Sequence, residues 1–187
     1  MSTTWRDRLV HLGLAVAVLA GGLVVNHVDR NGGSTRSFVS TGSVGERLPL
    51  WPGSVVVHGA RAASELETDY QGRPPTHGVW VAVDLSVAGG DQPGPYADVR
   101  LVDAQGRTFD ATDRVGLQSL GPPQPASPIR GEVAFEVPED ALGDLVVVVA
   151  ARAEDSLGAE ARVPVTVEDV EREPLVIAEP ELLGPLP

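Results

Sequence analysis

The chain has 187 residues, with 26 acidic and 14 basic side chains and a net charge of −12. Every basic side chain is arginine, and there is no cysteine. The charge argues against a nucleic-acid partner, which needs a basic stripe. The missing thiols exclude disulfides, thiolate catalysis, iron–sulfur clusters and cysteine-type zinc sites.

Residues 1–8 form a short polar head containing Arg6 and Arg8, expected to stay cytoplasmic. Residues 9–28 follow without a single Asp, Glu, Lys or Arg. As a helix this run would cover about 30 Å, the depth of a bilayer's hydrocarbon core. A cleaved signal peptide is the competing reading, since Val18-Leu19-Ala20 precedes Gly21. The apolar character continues through Leu23, Val24 and Val25 with no polar region before it, which favours an uncleaved anchor. Arg30 and Arg36 nearly balance the N-terminal charges, so orientation rests on the short head being the simpler end to keep inside. Gly13, Ala17 and Gly21 fall four apart and would stack on one helix face, a spacing that permits helix–helix contact and a homo-oligomer. Their abundance in the run is an equally simple explanation.

Residues 29–47 are rich in Gly, Ser and Thr and read as a flexible tether. From 48 to 170 the pattern changes to short β-type runs punctuated by Gly and Pro. Runs at 54–60, 79–87, 99–102, 107–111, 130–137, 145–151 and 159–167 make seven predicted strands. In the second, Val79, Val81, Val83, Leu85 and Val87 line one face, and Trp80, Ala82, Asp84 and Ser86 the other. Asp103-Ala104-Gln105-Gly106 is a hairpin turn with glycine at its fourth position. Residues 121–128 hold four prolines and predict an irregular surface crossing. One helical turn is expected at 138–142. Residues 171–187 alternate acids, aliphatics and prolines; they predict at most one edge strand near Leu175–Ile177, with a disordered end that could dock a partner. Together these predict an all-β, antiparallel sandwich of about seven strands behind one N-terminal transmembrane helix.

Candidate chemistry is sparse. Beyond the apolar run the histidines are His58, in a valine-rich strand, and His77, at a loop boundary. Neither is placed for a catalytic triad, and no phosphate-loop, zinc-protease or dinucleotide-binding spacing occurs, so no cofactor is expected. Glu65, Glu67 and Asp69 alternate, and Asp110, Asp113, Glu139 and Asp140 are scattered, too thin a set for a calcium loop. Fourteen of the acids lie from Glu132 onward, which reads as a solubilising surface, with a cation-binding patch as the alternative. Trp80 and Tyr96 are the candidate surface or partner contacts, against the plainer reading that they pack in the sandwich.

Three segments are familiar in combination. Gly78-Val-Trp-Val-Ala-Val-Asp-Leu-Ser-Val87 is followed by Val99-Arg-Leu-Val-Asp-Ala-Gln-Gly-Arg-Thr-Phe109 and Arg130-Gly-Glu-Val-Ala-Phe-Glu-Val-Pro138. In this order they resemble the DUF4352-type, MPT63-like group of exported bacterial domains, over about Val55 to Val167. The resemblance implies an immunoglobulin-like β-sandwich, held behind a lipoprotein signal or a single membrane helix. Without cysteine the lipoprotein form is ruled out. The resemblance implies no shared active site. The expectation is therefore a non-enzymatic, single-pass membrane protein whose extracytoplasmic domain contacts an envelope protein. A sensor or carrier for a small ligand or cation is the alternative.

Overall fold

The computed structural model describes residues 38–68, 72–94, 97–112, 120–125, 127–151, 158–177 and 179–184. All belong to one unit, Ser37–Pro187. The expected transmembrane segment, with Gly13, Ala17 and Gly21, lies outside the described residues. Among the described residues no helix is long and apolar enough to cross a membrane.

In chain order the strands are β1 (Phe38–Thr41), β2 (Arg47–Leu50), β3 (Gly53–Ala63), β4 (Leu66–Glu67), β5 (Val79–Ala88), β6 (Ala97–Asp103), β7 (Thr108–Asp110), β8 (Ile129–Val137), β9 (Gly143–Ala151), β10 (Ala159–Val167), β11 (Val170–Glu171), β12 (Leu175–Val176) and β13 (Glu181–Leu182). A 3-10 turn at Glu139–Ala141 falls inside the predicted helical turn. The seven predicted strands are β3 and β5 to β10.

The strands build a β-sandwich. One sheet has the order β1-β10-β9-β6-β7; the other runs β11-β3-β5-β8-β13, with β2 also paired to β3. The long neighbours are all antiparallel, while β1 joins β10 in parallel. Val81, Val83, Leu85, Val133, Phe135, Leu101, Leu145, Val147, Val149 and Val163 fill the space between the sheets. These are the inward positions of their strands, and a one-residue slip would turn Val81, Val83, Leu85, Val133 and Phe135 away from the core.

Two glycines of the quoted motifs have steric reasons. A Cβ on Gly78 would lie 2.1 Å from the Val137 carbonyl oxygen. Gly106 has φ +79°, and its N–H donates to the Asp103 carbonyl (3.0 Å). This is a type I turn followed by a left-handed residue, the usual three-residue hairpin loop. The Asp103 carboxylate accepts the N–H groups of Gln105 (3.0 Å) and Arg107 (2.8 Å).

The ends of the domain differ from expectation. The tether assigned to 29–47 contains β1 and enters β2, because Leu48 and Leu50 are buried in the core. The segment 171–187, expected to carry one edge strand near Leu175–Ile177 and a disordered end, has that strand as β12 and continues as a strap through Gly184. β11 pairs with β3, Leu175 of β12 lies opposite Leu66 of β4, and Glu181 of β13 lies opposite Arg130 of β8. The strap therefore crosses from the β3 side of the sheet to its β8 edge.

Candidate partner-binding face

Each sheet has an outer face, and the two have opposite fates. On the β3-β5-β8 sheet the outward residues are Ala63, Trp80, Ala82 and Ala134 at one end, and Asp84, Ser86, Arg130 and Glu132 at the other. The apolar end is roofed by the strap: Leu175 and Leu66 join Ala63, Trp80, Ala82 and Ala134 in a second buried cluster, with Ile177 against it. Trp80 is completely buried. The expectation that Trp80 is a surface contact is thus corrected, because Leu66 and Leu175 join the indole and its neighbouring alanines in one buried cluster. Tyr96 lies outside the described residues.

Polar contacts fasten the strap. Arg61 donates to both carboxylate oxygens of Glu132 (3.0 Å each from Nη2) and to the Val176 carbonyl (3.0 Å), and lies 3.7 Å from Glu171. The Leu175 N–H donates to Glu65 O (2.9 Å), and the Leu183 N–H to Pro128 O (2.8 Å). Beyond the strap, Arg130 holds Asp84 by two hydrogen bonds, 3.0 and 2.6 Å. Asp84, Glu132, Glu179 and Glu181 line a small notch with this arginine among them. Arg130 is held further toward its charged form by those bonds to Asp84.

The outer face of the five-stranded sheet has no such roof among the described residues. Its cross-strand rows follow from the registers. One row runs Pro164, Val146, Val102, Thr108; the next runs Thr41, Arg162, Val148, Arg100, Asp110; a third holds Val39, Glu160, Ala150, Asp98. The result is a shallow trough of about 500 Å³ with Val102, Val146, Val148 and Pro164 in its floor and Arg100, Glu160 and Arg162 on its flank. Glu160 is buried between the two arginines, 2.6 Å from Arg162 Nε and 4.0 Å from Arg100 Nη2. Arg100 also lies 3.7 Å from Asp98. This linked row fixes the arginine stems beside Val148, which is only 5% exposed although it points outward. The face is thus a preorganised apolar strip bordered by cations.

The remaining candidates resolve into structural roles. His58 sits at the β3 bulge between Val57 and Gly59, with Nε2 2.6 Å from Ser86 Oγ. His77 is exposed. Glu65 and Glu67 share Arg73, at 2.7 and 3.2 Å, so the alternating carboxylates serve an arginine; Asp69 lies outside the described residues. Asp140 pairs with Arg107 (3.1 Å). Asp110 and Glu139 are exposed, and Asp113 lies outside the described residues. Among the described residues no three His, Asp or Glu side chains come together to hold a metal ion. The trough was missed in the sequence because no single residue marks it. The signal was the run Val146–Val149 in β9, whose outward valines are covered by no strand or helix among the described residues.

The architecture is an all-β sandwich in which the C-terminal strap roofs the apolar end of one sheet's outer face, while the other sheet's outer face has no such roof among the described residues. No family model matches the sequence, and no curated protein matches it. Among solved structures, the crystal structure of an uncharacterized beta-sandwich protein from Clostridium difficile 630 is similar, with 8% identity and a TM-score of 0.42, covering 69% of this chain and 95% of that one.

Proposed function

We propose that the chain is a membrane-anchored, extracytoplasmic immunoglobulin-like domain that acts by protein–protein contact in the bacterial cell envelope, with the trough on the β10-β9-β6-β7 sheet as its contact face. The observation that carries this reading is the asymmetry of the two outer faces. An apolar outward patch on one sheet is roofed by the strap, whereas among the described residues the strip of Val102, Val146, Val148 and Pro164 on the other has no roof but its flanking arginine stems. Open apolar strips rimmed by charge are where proteins meet partners.

Three further points support the parts of the proposal. The seven strands expected from the sequence divide as first, second and fifth in one sheet and third, sixth and seventh in the other, the division of immunoglobulin-like sandwiches, with the short fourth carried beside the third. The segments resembling the exported-domain group fall on β5, on the β6–β7 hairpin and on β8. The uncharged run at 9–28 supports the anchor.

The partner recognised by such a strip is a protein segment with aliphatic side chains for the valine row. The test is Val146→Glu in the full chain, with partner association followed by pull-down from native membranes. Loss of association with unchanged thermal unfolding is expected. Unchanged association would remove the trough from the proposal.

A further inference from the structure

Two exposed aromatic residues lie outside the trough. Phe38 is 72% exposed and Trp51 76%, the two largest values among the exposed large hydrophobic side chains described. They face each other across a notch of about 450 Å³ framed by Ser40, Pro49 and Ala159. Phe38 opens β1 and Trp51 follows β2 directly, so the pair sits where the chain enters the sandwich. Trp80 and Phe135, in contrast, are wholly buried.

We infer that Phe38 and Trp51 seat the domain on a lipid surface. An aromatic ring with an apolar body and, in tryptophan, one N–H donor is suited to the boundary between acyl chains and headgroups. The chain also delivers the pair there. Residues 29–37 are all that separates the uncharged run from Phe38, and nine residues reach about 32 Å at full extension. With the run in a bilayer, Phe38 cannot leave the neighbourhood of the surface. The surface is zwitterionic, because a chain of net charge −12 is repelled by anionic headgroups. This inference rests on the anchor in the proposed function, and it holds for either orientation of that anchor.

The test uses the full chain carrying Trp5→Phe, reconstituted in phosphatidylcholine vesicles with plain or brominated acyl chains. Buried Trp80 supplies a constant background, and Trp51→Phe identifies the Trp51 signal. Loss of Trp51 emission in brominated but not plain vesicles is expected, and Phe38→Ser should weaken it. Equal emission in the two lipids overturns the inference, whether Trp51 is left in water or covered by a second copy of the chain; iodide quenching tells those apart. Alkaline carbonate extraction of the same vesicles reads the anchor separately. Chain retained with no bromine effect sinks only the aromatic seat. Chain released while the bromine effect persists sinks only the anchor, and release with no effect sinks both.

Discussion

Replacing Trp80 by Ala removes the largest fully buried side chain of the domain from beneath Leu175. Deleting a buried aromatic of this size costs about 3–5 kcal/mol, a large fraction of the roughly 5–15 kcal/mol that holds a domain together. Urea unfolding of Trp80→Ala should show that loss in its midpoint. Asp103 offers a test by pH. Burial pushes its carboxyl up, but hydrogen bonds from the Arg107 side chain and from the backbone N–H groups of Arg107 and Gln105 outweigh this and hold it below the usual carboxylate range. A lowered folded value means that its contribution is present above the unfolded value near 3.9, and is lost as pH falls through the lower folded value. Asp103→Asn should therefore lie below the parent in thermal stability at neutral pH. The gap should narrow only once pH drops below about 4.

The strap is the element the sequence hid. Its prolines and acids match the composition of unstructured tails, and only β12 was expected, near Leu175–Ile177; β11 and β13 are two residues each, too short for periodicity to register. What orders it is the sheet beneath: Trp80, Ala82 and Ala134 form an apolar outward patch that needs a cover. Those residues were readable on the wrong side of their strands, but the identity of the cover depends on a contact almost a hundred residues away. Leu175→Ala should cost about 2–5 kcal/mol. Truncation before Pro174 should also redden Trp80 fluorescence while leaving the far-ultraviolet β signature in place. An unshifted emission maximum would mean that the strap does not cover the indole. The six long strands, by comparison, were legible because they alternate or run as a continuous apolar stretch between turn residues; β7 was legible only through its turn at Asp103–Gly106.

At the scale of the whole domain, the sandwich covers the apolar end of one outer face with its own strap, and no described residue covers the trough on the other. The trough could not be read from the sequence because its rows are assembled from five strands, from Thr41 to Pro164. Substitution at an exposed trough position such as Thr108 should shift stability by no more than about 0.5 kcal/mol, so effects there report contact rather than folding. The most direct measurement is site-specific photocrosslinking in native membranes, with the photoreactive residue at Thr108 in the trough or at Val176 on the strap, both exposed positions. The account predicts a discrete heterologous adduct from Thr108, abolished by Val146→Glu, and none from Val176. Adducts from Val176 alone, or Thr108 adducts indifferent to Val146→Glu, would contradict it.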